Sequence, residues 1–373
     1  MSPAFTKTFS LLILIFVGYF LQKKIRSKEQ LDGIRTIILS LALPATIWIA
    51  LLQINFESSL LVIPIMSLGF NIVVYLLMDR LPLHSVFNIS TSQYRTLIML
   101  IPSLAPGLSC FPFIIEYSGQ SALAMAALAD VGNKIFVLII SYTIAMRWYF
   151  EVNGAAATQG KMKGKEILSA IVKEPVNVVI LVALAMLAFG LTSRSFPEAV
   201  SLSIDRISLL MTPLVLLFIG LSMRLTWAQA KTIFSFLFFR SGVAFAVSGL
   251  VLFFFPVSDL PTMLLIVVFP QSACSFWPYA HMASVTQLER NLPKEHQQST
   301  FDLDFAMNVL ACSLPFSVVL IVAVYAGGTF FTRPAPVLAG AGIFVAASVV
   351  MALLSNRIWN YKTESLKMSP KMD

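Results

Sequence analysis

Nearly every charged side chain in this sequence stands in a short gap between long apolar stretches, and that pattern fixes what the chain can fold into. A backbone crossing hydrocarbon finds no water for its N–H and C=O groups, so it pairs them internally, as a helix does. A spanning helix needs roughly 20 predominantly apolar residues. On that criterion eleven helices are expected, near 8–21, 34–53, 59–78, 96–115, 121–147, 175–192, 205–223, 231–255, 261–282, 300–326 and 335–354. The composition agrees: 58% of the 373 residues are hydrophobic and 12% charged, where a soluble domain has about 25% charged. No small-residue cleavage site follows the apolar run at 9–21, and Lys23, Lys24, Arg26 and Lys28 flank it, so it reads as a retained first helix. The net charge of +8 sits in short loops beside the spans and implies no nucleic acid.

Lysine and arginine accumulate in cytoplasmic loops. The loops after odd-numbered helices, with the tail, hold 20 of them, against 4 on the other side. The N-terminus is therefore expected outside and the C-terminus in the cytoplasm, in a plasma or inner membrane. The remaining two, Lys134 and Arg240, fall well inside expected spans.

The first ten helices read as two five-helix repeats. Gly18 matches Gly190 at an offset of 172, Pro44 matches Pro213 at 169, Gly69 matches Gly242 at 173, and Pro102 matches Pro270 at 168. Pro112 matches Pro278 at 166, and Asp130 matches Asp304 at 174. An odd number of helices per repeat inverts the second copy, as in many secondary transporters. The expected organisation is a first repeat over 1–147, a basic cytoplasmic linker over 148–174, a second repeat over 175–326, and an extra helix with a short basic tail over 327–373. The linker lysines would face anionic lipid headgroups.

Two spans are interrupted. Ile101 to Phe113 reads IPSLAPGLSCFPF, and Phe269 to His281 reads FPQSACSFWPYAH. Proline removes a helix hydrogen bond and clashes with the preceding turn. Paired breaks of this kind mark a transporter's substrate site. They nominate Cys110, Pro112, Pro270, Gln271 and Ser275 as substrate-binding residues.

Ionisable groups inside a span face a cavity or a partner. Asp130 and Lys134, four apart on one helix face, read either as a coupling pair or as an ion pair that neutralises itself. Asn133 stands beside them. Arg240 either draws an anion inward or snorkels to the interface. Asp304 and Asn308, four apart, are paired by position with Asp130 and Asn133. Asn71 reads as an interhelical bond or a ligand contact, and His281 and Glu116 as interfacial. Cys110, Cys274 and Cys312 all fall in apolar spans, which argues against a disulfide framework. Enzyme signatures are absent, and histidines at 84, 281 and 296 leave little for a metal site. No enzyme activity, cofactor or metal is expected.

The segments LALPATIW, GLSCFPF, ALADVGN, PLVLLFIGLSM and FPQSACSFWPYA together resemble the auxin efflux carrier family, over about residues 5–326. That family includes plant PIN and PIN-like carriers and bacterial organic-acid permeases, within the bile acid/arsenite/riboflavin transporter group. Pro270 and Gln271 stand where the family has PQGIVPF. The resemblance implies a scaffold of helices 1, 2, 6 and 7 that also dimerises, and a mobile unit of helices 3–5 and 8–10. It also implies that helices 4 and 9 cross at the substrate site, and that the substrates are organic anions. The family's helix-4 asparagine, as in NTGFIGIPL, is replaced here by Ala105 and Pro106, and its second helix-9 proline by Ser275.

The expectation is thus an all-α polytopic membrane protein of two inverted five-helix repeats plus an eleventh helix. It would move a small organic anion by alternating access and work as a homodimer in the bilayer. The rival reading is a ligand sensor built on the same fold that moves nothing.

Overall fold

The computed structural model describes residues 3–25, 27–52, 62–80, 89–153, 175–189, 191, 195–222, 230–255, 257–290, 292 and 298–368. The expected linker lysines Lys161, Lys163, Lys165 and Lys173, together with Gly190, His84 and His296, lie outside the described residues. Among the described residues the chain is all helix, without a strand.

In chain order the helices are α1 (Pro3–Leu21), α2 (Lys28–Ile37), α3 (Leu43–Leu52), α4 (Val62–Arg80), α5 (Thr91–Leu100), α6 (Pro106–Ser109), α7 (Phe111–Ile135) and α8 (Ser141–Asn153). The second half holds α9 (Pro175–Ala188), α10 (Glu198–Ser208), α11 (Met211–Ser222), α12 (Ala230–Phe254), α13 (Leu260–Val268), α14 (Trp277–Arg290), α15 (Leu303–Gly327) and α16 (Pro334–Met368). A π-helical turn, Ile38–Ala42, joins α2 to α3, and another, Phe136–Ile140, joins α7 to α8.

Seven described stretches are long and apolar enough to cross a membrane: Glu29–Leu52, Val62–Arg80, Phe111–Asn153, Glu198–Leu221, Ala230–Phe254, Leu303–Thr332 and Pro334–Leu353. Expected helices 4 and 9 are each split, into α5 with α6–α7 and into α13 with α14, and expected helices 1 and 6 are also absent from the seven. The second half of expected helix 4 runs into expected helix 5 through a turn at Gly119, with φ 82° and ψ −173°. Only glycine occupies that region readily, so Gly119 permits a sharp reversal without a loop.

The helices associate in a definite order. α1 packs on α11, α3 on α9 and α10, and α4 on α7. At the α4–α7 contact Gly132 lies against the Pro64 carbonyl, where a Cβ would overlap it. Without a hydrophobic drive between helices in lipid, such close backbone approach is what holds them. The most extensive pairing is α12 with α16. Ser235 Oγ donates to the Ser348 carbonyl at 2.7 Å across it. The opposite side of α16 presents Ile343, Val349, Val350 and Leu353 outward, as a lipid-facing helix does.

Candidate functional site

Each break begins as a helix end that caps itself with serine. At the end of α5, Ser103 sends both its N–H and its Oγ to the Leu100 carbonyl, at 3.1 and 2.6 Å. After the 3-10 turn Phe269–Gln271 that follows α13, Ser272 does the same to the Phe269 carbonyl, at 3.1 and 2.7 Å. The two serines are 169 residues apart. Pro102 and Pro270 matched at 168 in the sequence; the hydrogen bonds align Ser103 with Ser272, one residue further.

The two breaks cross and bond to each other. The Ala105 N–H donates to the Ala273 carbonyl at 2.7 Å. The Ala273 N–H donates to Ser109 Oγ, and the Ser275 N–H to Ser103 Oγ, both at 2.9 Å. Backbone groups freed by the prolines are thereby satisfied inside the protein, as an interrupted span requires. Ser275 Oγ accepts from the Trp277 N–H at 3.3 Å and so caps the start of α14.

Side chains from neighbouring helices close the remaining positions. Asn133, on α7, accepts from the Leu104 N–H at 3.0 Å and donates to the Leu104 carbonyl at 2.9 Å. Its Oδ1 also receives Asn71 Nδ2 at 2.9 Å, and its Nδ2 reaches Asp130 Oδ1 at 2.8 Å. Asn71 Nδ2 lies 3.0 Å from the Pro102 carbonyl as well. Lys134 Nζ stands 3.5 Å from Asp130 Oδ2, and both residues are buried. Asn71, which the sequence left between two readings, makes interhelical bonds.

Arg240, on α12, is 1% exposed. Its Nη2 donates to the Ser272 carbonyl and, at 3.3 Å, to the Ser103 carbonyl. These carbonyls follow the C-terminal ends of α13 and α5, where the helix dipoles place partial negative charge. One guanidinium therefore holds two helix ends together; it does not snorkel. Asn71 and Arg240, again 169 residues apart, each donate to a carbonyl of the break in their own half.

The other nominated residues divide. Cys110 is buried, with Sγ 3.9 Å from the Val268 carbonyl, and Pro112 is buried in the first turn of α7. Pro270 is half-buried in the 3-10 turn. Gln271 is buried and donates from Nε2 to the Ser241 carbonyl at 3.3 Å. Asp304, however, is exposed in the first turn of α15, and Asn308 is half-buried one turn on. Ser313, on the same helix as Asp304 and Asn308, accepts at Oγ from the Cys274 N–H at 3.3 Å. Ser103, Ser109, Ser272 and Ser313 were not nominated from sequence. The signal for the first and third was present, since their offset of 169 equals that of Pro44 and Pro213.

At the crossing three buried polar atoms have no hydrogen-bond partner among the described residues: Asn71 Oδ1, Gln271 Oε1 and Arg240 Nε. A buried polar group without a partner is costly, so acceptors and a donor together offer a polar ligand a place. Cys110, Cys274 and Cys312 are free thiols. No group of three or more His, Cys, Asp or Glu among the described residues is arranged to hold a metal ion.

No protein-family model matches the chain. It is 24% identical over 255 residues to a protein of Methanocaldococcus jannaschii named as an uncharacterized transporter, an alignment covering 64% of this chain and 77% of that one. With its apolar helices and this similarity, the chain is an integral membrane protein related to a transporter.

Proposed function

We propose that the protein is a secondary transporter that moves a small organic anion by alternating access, with the substrate held at the crossing of the two breaks. The observation that carries this reading is the crossing itself. Two split helices meet in the buried interior, bonded to one another, with a fixed guanidinium and unpartnered polar atoms from three different helices or breaks. Discontinuous helices that meet in this way are how many transporters build a polar site within the membrane. The starts of α7 and α14 face the crossing with partial positive charge, which favours a carboxylate.

An inverted repeat explains why Ser103 and Ser272, and Asn71 and Arg240, do equivalent work at one common offset. The resemblance to the auxin efflux carriers agrees with this reading and supplies the anion class. On it, α1, α3, α9 and α11 belong to a dimerising scaffold, α16 rides with α12 on the moving unit, and the C-terminus is cytoplasmic.

The test is uptake into proteoliposomes of radiolabelled acetate, benzoate and succinate. Saturable uptake of one of them, absent from protein-free vesicles, is the expected result. Binding without uptake in either direction would favour the sensor reading instead. Neither binding nor uptake of any of the three would remove the anion class.

A further inference from the structure

Arg35 reaches the crossing from a helix that takes no part in either break. Its guanidinium carbon lies 4.2 Å from the centroid of the Phe276 ring. Phe276 is the last residue of the second break before α14, directly after Ser275, and its ring also lies 4.9 Å from that of Tyr279. On the same helix Leu43 covers the first break: a Cβ on Gly107 would stand 2.7 Å from Leu43 Cδ2 and 3.9 Å from Leu39 Cδ2. Arg35, Leu39 and Leu43, spaced by four, therefore line the side of this helix that faces both breaks. The π-helical turn Ile38–Ala42 lies between them, and such turns occur often at functional sites.

The partner of Arg35 is unusual for its surroundings. No carboxylate of a described residue forms an ion pair with it, and Asp32 lies one turn before it on its own helix. A half-buried guanidinium thus lies against an aromatic face, with the Asp32 charge acting on it from one turn away. Cation–π attraction is weaker than a two-pronged, charge-assisted bond to a carboxylate. A carboxylate arriving at this place would take the guanidinium from the ring. Arg240 can offer only part of its fork, through Nε, because its Nη2 is already engaged by two carbonyls.

We infer that Arg35 is the residue that receives the substrate's carboxylate at the mouth of the crossing, with Phe276 as the placeholder that holds it until the anion arrives. The inference rests on the organic-anion reading above and adds a specificity-determining residue outside the breaks. Displacing Arg35 from Phe276 would also loosen the helix bearing Leu43 from the break bearing Gly107.

The experiment measures apparent affinity for sodium acetate, benzoate and succinate by thermal stabilisation of the full purified chain, at matched ionic strength. A ligand that binds the folded state raises its melting temperature by mass action. Arg35→Gln is expected to weaken the wild-type anion about tenfold or more, since it removes the charged half of the pair. Phe276→Leu keeps Arg35 and removes its competitor, so the same anion should bind about three- to tenfold tighter. Arg35→Lys should fall between Arg35→Gln and wild type, because lysine keeps the charge without the planar fork. Should Arg35→Gln not yield folded protein, Phe276→Leu decides alone. Wild-type anion affinity in Arg35→Gln, or unchanged or weaker affinity in Phe276→Leu, would overturn the assignment while leaving the anion reading intact. No response of wild type to any of the three anions would overturn both.

Discussion

Asn133 and Leu104 are bonded in both directions. The Asn133 side chain accepts from the Leu104 N–H at 3.0 Å and donates to the Leu104 carbonyl at 2.9 Å. A carboxamide carries the donor and acceptor of a peptide group, so this side chain replaces the helical partners that Leu104 lost at the break. It does so from α7, 29 residues away. Asn133→Ala leaves both backbone groups unpaired in the interior. The expected cost is about 2–6 kcal/mol, at roughly 1–3 kcal/mol per unsatisfied buried group. Asn133→Asp keeps the acceptor and loses the donor, and it places a second carboxylate beside Asp130, so it should be no more stable than the alanine variant. Melting temperatures of the purified variants check this, and an alanine variant as stable as wild type would count against the role.

Arg240 brackets two helix ends, and its replacement separates charge from geometry. In Arg240→Met the Ser103 and Ser272 carbonyls both lose their donor, at an expected cost of about 2–4 kcal/mol. Arg240→Lys keeps a cation near the helix ends but offers a compact ammonium in place of the fork, and should fall roughly midway. Thermal unfolding in detergent gives the order wild type, lysine, methionine. A reversal of the two variants would place the importance of this residue outside the bracket.

Asp130 and Lys134 form a pair one helical turn apart, 3.5 Å between charges, with both side chains less than a tenth exposed. Removing one member takes that opposite charge away from the other. Asp130→Asn or Lys134→Met alone should cost about 3 kcal/mol, and the double variant should recover most of that, because both members of the pair are then neutral. Stability measured around this double-mutant cycle tests the coupling. Additive losses would mean that the two groups serve different partners.

The sequence made both breaks legible, because Pro102, Pro106, Pro112, Pro270 and Pro278 interrupt runs that otherwise satisfy a spanning helix. The i, i+4 spacing likewise made the Asp130–Lys134 pair legible. Local rules could not say where the polar groups between the prolines would point. Ser109 meets Ala273 across 164 residues, and Ser275 meets Ser103 across 172. Serine is too common in such spans to announce a partner at that distance. Arg240 read as an attractor of anions because a charge in a span needs a counterpart. The counterpart of its Nη2 is a pair of carbonyls, which exist only once both helices have broken in register. Asp304 matched Asp130 by offset, yet it is exposed in the first turn of α15, where an acidic residue suits the positive end of a helix. The Gly119 reversal was hidden for a different reason: expected helices 4 and 5 were separated by a gap, whereas a single positive-φ glycine makes the turn.

The central claim is that the crossing holds the transported anion, and Gln271 tests it most directly. Its Nε2 donates one hydrogen to the Ser241 carbonyl and has a second to offer an anion's oxygen, while its Oε1, an acceptor, has no partner among the described residues. Gln271→Leu gives up one moderate hydrogen bond, about 1 kcal/mol, so the variant should fold. Uptake of the wild-type substrate into proteoliposomes should fall to the level of protein-free vesicles while the melting temperature stays within a few degrees of wild type. Wild-type uptake by a folded Gln271→Leu protein would contradict the account and move the substrate away from the crossing.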